Sequence, residues 1–305
     1  MRDQGIFSAI RWAPAALVPV LALTLAVACA PVKPLTTLAA ESTGRIHFQS
    51  LSLTAIQFAD GTKDASPVAI SGELALPSGA TRVPAMILLH GSAGVTATET
   101  GWARELVGAG VATFLLDSYS GRGISGWPSE TQLSRVGGVI DAYRALELLA
   151  THPRIDRQRI GLMGFSRGGG LTVLAALDRF RQVWLPPDVD FAVYLPFYPN
   201  YRNAYASDDR VSRRPIRVFH GTADDANPIS ASREYVERLR RAGADARLFE
   251  YPGAHHSFDN PDFRGAVRAR VPGGGAFTVA YNGRSHAQAG RDVRATLSAS
   301  LRLGP

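Results

Sequence analysis

Apolar and polar residues alternate along the chain in blocks that predict strands and helices in turn. Short apolar runs have the length of buried strands, and stretches with helical periodicity separate them. The predicted strands cover residues 70–76, 85–89, 111–116, 160–163, 191–195, 216–219 and 246–251. The predicted helices cover residues 100–108, 131–150, 169–177, 230–242 and 286–301. This alternation is typical of an α/β protein that has a mostly parallel, doubly wound sheet with helices on both faces.

The chain lacks this pattern over residues 260–283, which are predicted to form a loop with no assignable role. No internal repeat and no second folded domain are indicated. A chain of 305 residues with 46% hydrophobic content is long enough to bury one sizeable core. We therefore expect residues 45–305 to form a single α/β domain.

The amino-terminal residues have a different composition. Arg2 and Arg11 precede an apolar stretch, residues 13–28, that ends in small residues. This pattern is typical of a secretory signal peptide rather than of a membrane-spanning helix. We expect residues 1–28 to be such a peptide and the protein to be exported, either to the bacterial periplasm or as a secreted protein.

The only cysteine of the chain, Cys29, follows directly, in a context that resembles a bacterial lipoprotein signal. Two alternatives stay open: lipidation of Cys29, which would anchor the protein to a membrane, and plain cleavage nearby. A single cysteine allows no disulfide within the chain, so the fold depends on its core. Residues 29–44 are then predicted to be a tether.

The formal net charge is +7, but the basic residues are nearly all arginine and are scattered along the chain. No stripe of basic and aromatic residues is present, so nucleic acid is not an expected partner. The histidines lack the spacing of metal ligands, and the glycines at 168–170 are not followed by the lysine of a phosphate loop. No metal and no cofactor are expected.

The sequence Gly164-Phe165-Ser166-Arg167-Gly168 matches the G-x-S-x-G motif, directly after a predicted strand and before a predicted helix. In that context the chain turns sharply, which forces the central residue into an unfavourable backbone conformation and requires small neighbours. Gly164 and Gly168 meet this requirement. The turn presents the Ser166 hydroxyl above the sheet, so Ser166 is a candidate nucleophile.

Two later segments offer an acid and a base. One predicted strand leads into a turn that contains Asp224 and Asp225, of which we favour Asp224, and the next leads into a loop with His255 and His256. A histidine there can take the proton of the serine, and an aspartate can accept the other ring NH of that histidine. The order serine, aspartate, histidine, each after a predicted strand, is that of the α/β-hydrolases.

Backbone NH groups near Ser166 can stabilise the negative charge on a carbonyl oxygen under attack. The NH of Arg167 lies in the first turn of the predicted helix, where NH groups lack intrahelical partners. The NH of Ser92 lies in a glycine-rich turn, residues 90–94, after an early predicted strand. We predict that these two NH groups form an oxyanion hole. His90 is predicted to be structural, and no partner is assigned to His220.

Together these motifs resemble those of the dienelactone hydrolase family of α/β-hydrolases, over roughly residues 71–301. The A-x-H-x-F pattern of that family matches residues 254–258, which favours His256 as the base and leaves His255 as the alternative. The family's namesake has a cysteine nucleophile at the position of Ser166, so dienelactone itself is not assumed to be the substrate.

A further segment, residues 117–123, is similar to one found in family members. This resemblance implies that Arg122 approaches the substrate pocket. Arg122 and Arg167 are then candidates for binding a substrate carboxylate as a fork.

These residues and the resemblance imply an exported serine hydrolase that cleaves ester or lactone bonds of a small molecule through an acyl-enzyme. Two alternatives stay open. Peptidases of the prolyl oligopeptidase type share the same three motifs in their catalytic domain, and a lipoprotein can use the fold as a binding module without catalysis. The sequence predicts neither the particular substrate nor the oligomeric state.

Overall fold

The computed structural model describes residues 35–79, 82–126, 129–201, 209–270 and 275–303 of the chain. The predicted signal peptide, Cys29 and the first part of the predicted tether lie outside these residues. Within the described ranges, no helix combines the length and the apolar character needed to cross a bilayer.

An eight-stranded sheet forms the centre of the molecule, in the order β1-β2-β4-β3-β5-β6-β7-β8. The two amino-terminal strands pair antiparallel, β2 also pairs antiparallel with β4, and the remaining neighbours are parallel. The mostly parallel sheet predicted from the sequence is confirmed. The strands are β1 (Gly44–Ser52), β2 (Ser66–Ala75), β3 (Val83–Leu89), β4 (Ala112–Asp117), β5 (Ile155–Phe165), β6 (Tyr194–Phe197), β7 (Ile216–Gly221) and β8 (Ala246–Tyr251).

Helices cover both faces of this sheet. The helices are α1 (Ala55–Ala59), α2 (Ala97–Gly108), α3 (Arg135–Leu149), α4 (Arg167–Ala175), α5 (Asp178–Trp184), α6 (Ile229–Arg241) and α7 (Gly283–Leu301). Alternate residues of β3 belong to different cores: Ile87 packs with α3 and α4, whereas Met86 and Leu88 pack with α2 and α7. This is the expected result for a strand whose successive side chains point to opposite faces and are buried on both.

The prediction that residues 29–44 form a tether is wrong for the described part, from residue 35 onward. Leu38 is only 5% exposed and packs into the larger core, and its NH donates to the Thr151 hydroxyl, 3.0 Å away. The strand β1 follows at once and pairs with β2 over its full length. Burial of apolar side chains such as Leu38 stabilises this segment against the domain.

The region predicted to be a loop, residues 260–283, contains a two-stranded antiparallel hairpin of β9 (Val267–Arg270) and β10 (Ala276–Val279). Ala269 pairs with Phe277, and Val267 pairs with Val279. Val279 also forms an isolated bridge with His256. The hairpin therefore lies against the loop that follows β8.

The parallel strands β3, β5, β7 and β8 all end at the same edge of the sheet, because their directions agree. Open α/β sheets bind ligands beyond this carboxyl edge. The loops that follow these strands carry the glycine-rich turn, Ser166, Asp224 and the two histidines. The fold thus gathers at one edge residues that are far apart in the sequence.

Candidate active site

Ser166 occupies a sharp turn between β5 and α4, with φ 51° and ψ −109°. A residue with a side chain rarely adopts this conformation, and the surrounding structure must hold it there. Its NH donates to the carbonyl oxygen of Phe197, 3.0 Å away on the neighbouring strand β6. The structure therefore shows the strained turn that the motif predicts.

Glycines allow the chain to pass through this turn. A Cβ on Gly164 would overlap the carbonyl oxygen of Gly168, and a Cβ on Gly168 would overlap the carbonyl oxygens of Leu89 and His90. Backbone cannot move aside as a flexible side chain does. The first turn of α4 thus lies directly against the end of β3, which brings the loop after β3 to Ser166.

Hydrogen bonds connect Ser166, His256 and Asp224. The Nε2 atom of His256 lies 2.9 Å from the Ser166 Oγ, and its Nδ1 atom lies 2.8 Å from Oδ2 of Asp224. A carboxylate only accepts hydrogen bonds, so Nδ1 carries the proton and donates it to Asp224. The lone pair of Nε2 then faces the serine hydroxyl, as a general base requires.

Asp224 is 5% exposed and is surrounded by donors. Its Oδ1 accepts from the NH groups of Ala226 and Asn227, both 2.9 Å away. Burial by itself raises the pKa of Asp224, but the charge of His256 and hydrogen bonds from His220 and His256 outweigh it and hold the pKa well below its usual range. Asp224 is therefore ionised at neutral pH.

His220, to which the sequence assigned no partner, lies behind Asp224. Its Nε2 atom is 2.8 Å from the carbonyl oxygen of Asn227 and 3.2 Å from Oδ2 of Asp224. Because the carbonyl oxygen only accepts, Nε2 carries a proton, while Nδ1 lies 2.6 Å from the Ser232 hydroxyl. His220 thus helps to fix the carboxylate that orients His256.

The alternative base and acid have other contacts. The Nδ1 atom of His255 donates to the carbonyl oxygen of Ala223, 2.9 Å away. Asp225 accepts from the side chain of Arg268 and the NH of Thr278, both at 2.7 Å, in the β9–β10 hairpin. The structure therefore brings His256 and Asp224 to Ser166, and not His255 and Asp225.

The two backbone NH groups predicted to form an oxyanion hole belong to segments that meet at Ser166. Arg167 is the first residue of α4, and Ser92 lines the same cavity as Ser166. A Cβ on Gly91 would lie 3.8 Å from the Cβ of Ser166. The NH of Gly91 donates to Oε1 of Glu99, 3.2 Å away, which fixes the glycine-rich turn beside the serine.

The predicted contact of Arg122 and Arg167 with a substrate carboxylate is wrong. The Arg122 guanidinium donates to both carboxylate oxygens of Asp141, at 2.8 and 2.9 Å, and its side chain is 9% exposed. The Arg167 guanidinium donates to the carbonyl oxygen of Leu133, away from the cavity at Ser166. Both charges are bound to buried protein oxygens, so neither arginine faces the cavity.

A cavity of about 160 Å³ opens at Ser166. This volume is below the roughly 300–1,000 Å³ of pockets that take drug-sized ligands. Its lining is mostly apolar, and no arginine or lysine is among the described residues that form it. The lining residues are Gly91, Ser92, Ala93, Gly94, Thr96, Thr98, Glu99, Phe165, Ser166, Tyr198, His256, Ser257, Asn260, Phe263, Ala269, Phe277 and Val279.

Tyr198 is a part of the site that sequence reasoning missed. It has a positive φ of 33°, and its ring lies edge-on to that of His256 with centroids 4.7 Å apart. Its hydroxyl donates to Asp259, 2.8 Å away, and Trp102 donates to the other oxygen of Asp259 at 2.8 Å. Burial raises the pKa of Asp259. No sequence motif joins these three residues.

A serine at a strained strand-to-helix turn, followed in the chain by an aspartate and a histidine within hydrogen-bonding distance of one another, defines the class of the α/β-hydrolases. Within this class, the model of the dienelactone hydrolase family matches residues 70–299. The chain belongs to the dienelactone hydrolase family.

Solved structures agree on the fold. A dienelactone hydrolase-like promiscuous phosphotriesterase from metagenomic libraries has a TM-score of 0.63 at 18% identity, over 84% of this chain and 99% of that one. Esterase 2 of Thermogutta terrifontis, in its paraoxon-phosphorylated form, has a TM-score of 0.57 at 20% identity, over 78% of this chain and 92% of that one. At these identities the likeness is one of fold.

Among curated relatives, an uncharacterized protein of Mycobacterium tuberculosis is 30% identical over 186 residues, which are 57% of this chain and 63% of that protein. Acyl-protein thioesterase 1 of Gibberella zeae is 29% identical over 100 residues, which are 33% of this chain and 42% of that protein. The chain thus spans less than two thirds of the length of these relatives.

Proposed function

We propose that the protein is a serine hydrolase that cleaves ester or lactone bonds of small molecules through an acyl-enzyme. One observation carries the proposal: Ser166 Oγ lies 2.9 Å from His256 Nε2, while His256 Nδ1 lies 2.8 Å from Asp224. This is the geometry in which a histidine removes the serine proton and an aspartate stabilises the resulting imidazolium.

In the first half of the proposed reaction, Ser166 Oγ bonds to the substrate carbonyl carbon and its proton passes to His256 Nε2. The NH groups of Ser92 and Arg167 donate to the oxygen that becomes negative. The carbon–oxygen bond to the alcohol then breaks, and His256 gives its proton to the leaving oxygen. The product is an ester of Ser166.

In the second half, water attacks the same carbon and its proton passes to His256. The bond to Ser166 Oγ breaks, and the proton of His256 returns to that oxygen. Asp224 stays ionised throughout, consistent with its lowered pKa. The cycle ends with a carboxylic acid, an alcohol and the original enzyme, so it requires no further reactant.

Two proteins that are similar to this chain support the proposed chemistry. The solved Thermogutta terrifontis protein is an esterase that carries a phosphoryl group from paraoxon, and the Gibberella zeae protein is a thioesterase. An organophosphorus probe is therefore a suitable reagent for this chain.

Active-site labelling with a fluorophosphonate tests the proposal, together with hydrolysis of p-nitrophenyl acetate. We expect a single adduct on Ser166 by peptide mapping, and loss of both adduct and hydrolysis in Ser166→Ala. Removal of the serine from such a unit costs on the order of 10⁶ in kcat. The control is Ser298→Ala, which changes an exposed serine on α7 and should leave both readouts unchanged. Wild-type activity in folded Ser166→Ala would overturn the mechanism.

Hydrolysis of peptide substrates and the fluorophosphonate label separate the two alternative functions. A peptidase would cleave dipeptide p-nitroanilides at rates comparable with those for esters. One curated relative favours this comparison: dipeptidyl peptidase family member 1 of Caenorhabditis elegans, 24% identical over 184 residues, or 54% of this chain and 23% of that protein. A folded protein that takes no label would instead indicate a binding module.

We also propose that the protein is exported and that residues 1–28 are removed. The support is the sequence pattern alone: two arginines, an apolar stretch and Cys29. Expression of the full chain in a bacterium, followed by fractionation and intact mass, tests this. Membrane recovery that is lost in Cys29→Ala would support lipidation, and recovery of an unprocessed cytoplasmic protein would overturn the proposal.

A further inference from the structure

The β9–β10 hairpin forms one wall of the cavity at Ser166. Paired residues of an antiparallel hairpin point to the same face, and this face alternates along each strand. Ala269, Phe277 and Val279 share one face by their register, and all three line the cavity. We call this the inner face. The outer face carries Arg268, Arg270, Ala276 and Thr278.

Contacts on the outer face hold the hairpin in place. Asp225 accepts hydrogen bonds from the Arg268 guanidinium and from the NH of Thr278, both at 2.7 Å. The neighbouring residue, Asp224, accepts from His256. One turn of the chain therefore positions both the proposed base and this wall of the cavity.

The inner face lies beside the proposed base, where we expect the alcohol group to leave. The Phe277 ring stands edge-on to the His256 ring, with centroids 5.4 Å apart. In the proposed reaction, His256 gives a proton to the leaving oxygen, so this oxygen must lie within hydrogen-bonding distance of Nε2. We expect the alcohol part of the ester to extend from there along Phe277 and Ala269, which line the cavity.

Among the described residues, this side of the cavity has no arginine or lysine that would compensate a negative charge. Arg268 is turned to Asp225. The charged residue in the lining is Glu99, whose oxygens accept from the Gly91 NH and from the NH and hydroxyl of Thr96. A substrate carboxylate would be desolvated without a cationic partner and close to a second carboxyl group.

We infer that the inner face of the β9–β10 hairpin selects esters whose alcohol part is uncharged, and that it rejects esters whose alcohol part carries a carboxylate. This inference rests on the proposed function, because it assigns the substrate class of the same site. The selecting residues are Ala269 and Phe277, which place apolar surface in the cavity beside the proposed base.

Two nearly isosteric esters test the inference: 4-carbamoylphenyl acetate and 4-carboxyphenyl acetate, which differ in the charge of the leaving group. The kcat/KM of each is divided by its rate of hydrolysis in hydroxide, which corrects for leaving-group reactivity. We expect wild type to prefer the carbamoyl ester by about 100-fold, the penalty of a desolvated and unpaired carboxylate. Equal corrected values, or a preference for the carboxylate, would overturn the inference.

A binding measurement keeps this test separate from the proposed chemistry. Calorimetric titration of both esters into Ser166→Ala reports occupancy of the cavity without turnover. If wild type hydrolyses neither ester, the proposed function fails. Tighter binding of the carbamoyl ester would still support selection by the inner face of the hairpin. Equal affinity of Ser166→Ala for the two esters would overturn the inference that the inner face selects by charge, whatever the kinetics of wild type.

Charge variants of the hairpin locate the effect. Ala269→Arg adds a cation to the inner face and should reduce the preference about tenfold, whereas Ala269→Glu should increase it, because a nearby opposite charge stabilises a carboxylate and a like charge repels it. Ala276→Arg adds the same cation to the outer face and is the matched control. Melting temperatures show whether each variant is folded. If Ala269→Arg and Ala276→Arg reduced the preference for the carbamoyl ester equally, the preference would come from the electrostatic field of the whole protein. That result would contradict selection by the inner face.

Discussion

The carboxylate of Asp224 is held by donors on both of its oxygens, and one of these donors is the proposed base. Asp224→Asn keeps the shape but offers an amide where His256 needs an acceptor, so the histidine loses its preferred tautomer. We expect kcat for p-nitrophenyl acetate to fall by about 10⁴, as in the serine-protease precedent, in a variant that is less stable than wild type but still folded at pH 7. A kcat within tenfold of wild type would contradict the orienting role of Asp224.

The lowered pKa of Asp224 also makes folding stability depend on pH. In the unfolded chain Asp224 takes up a proton near its ordinary pKa of about 3.9, whereas in the folded protein it stays ionised to lower pH. The unfolded state therefore binds more protons below about pH 4, and the stability from Asp224 is lost as the pH falls through the folded value.

We expect the stability difference between wild type and Asp224→Asn to shrink as the pH is lowered from about 5 to about 2. Thermal unfolding followed by circular dichroism at each pH measures this difference. A difference that is constant over this range would show that Asp224 has no depressed pKa in the folded protein.

Sequence reasoning at this scale succeeds where a motif fixes the backbone. Ser166 is identified because the turn demands glycines around it, and the structure brings Asp224 and His256 to it. It fails for Arg122, because no local pattern shows that Asp141 would be its partner. It is equally silent on His220, whose contacts depend on how the turn after β7 folds back.

At the scale of elements, the approach of α4 to β3 determines where Ser166 stands. Gly168→Ala would place a Cβ into the carbonyl oxygens of Leu89 and His90, so the helix must move. We expect a loss of several kcal/mol in the free energy of unfolding, in the range of severe core substitutions of about 2–5 kcal/mol, and a matching loss of ester hydrolysis.

Gly101→Ala is the matched control for this prediction. Gly101 lies in α2, and a Cβ there meets nothing within 4 Å. Alanine is favoured over glycine in a helix by about 0.5–1 kcal/mol, so this variant should be slightly more stable than wild type. Urea unfolding measures both. Equal stability of the two variants would show that the close approach at Gly168 does not exist.

The anchor between Asp225 and the β9–β10 hairpin is a second feature of this scale. Asp225→Ala removes the acceptor of the Arg268 side chain and the Thr278 NH. These groups are exposed, so the loss is small, about 1 kcal/mol. We expect KM for a neutral ester to rise about fivefold while kcat stays nearly constant, because the wall loosens while the proposed base keeps its contacts.

Steady-state kinetics of Asp225→Ala check this prediction, with Arg270→Ala as the control. Arg270 lies on the outer face of the same hairpin and is exposed, so its removal should leave KM unchanged. A fall in kcat alone for Asp225→Ala would indicate that Asp225 acts on His256 rather than on the hairpin.

Elements were predictable from sequence where burial imposes a period. The parallel strands are apolar on both faces, so their runs are conspicuous. The strands of the hairpin are short, and of their residues Val279 alone is buried. Contacts with the loops at Asp225 and His256, rather than a core of their own, hold them in place. The same argument explains why the prediction of a tether was wrong, since the apolar residues around Leu38 show neither a strand period nor a helix period.

At the scale of the whole molecule, the sheet separates two main hydrophobic cores in the described chain. The architecture could be predicted from the apolar residues that form these cores. Continuous apolar runs can be buried only if helices cover both faces, so the layered α/β architecture follows from the pattern of residues. Charged pairs inside the larger core do not follow from it. The pair of Arg122 and Asp141 joins the loop after β4 to α3, and Arg122 also donates to the carbonyl oxygen of Leu51 in β1.

Substitutions of Arg122 and Asp141 are expected to change the stability of the protein but not its activity. Asp141→Ala leaves the guanidinium of Arg122 buried without its carboxylate, which costs about 3–5 kcal/mol. Replacement of both residues, by Arg122→Met with Asp141→Leu, should recover part of this loss, because an apolar pair needs no desolvation of charge but leaves the buried Ser50 hydroxyl without its acceptor, Asp141. Urea unfolding of the single and double variants measures the free energies.

The double variant also tests where Arg122 acts. Since its guanidinium is bound to Asp141 and not to the cavity at Ser166, we expect kcat/KM for a neutral ester to stay within about twofold of wild type in the folded protein. The assay runs at low temperature, with the folded fraction measured by circular dichroism. A loss of 100-fold or more in a fully folded double variant would place Arg122 in the substrate path after all, because only a contact with substrate would then be missing.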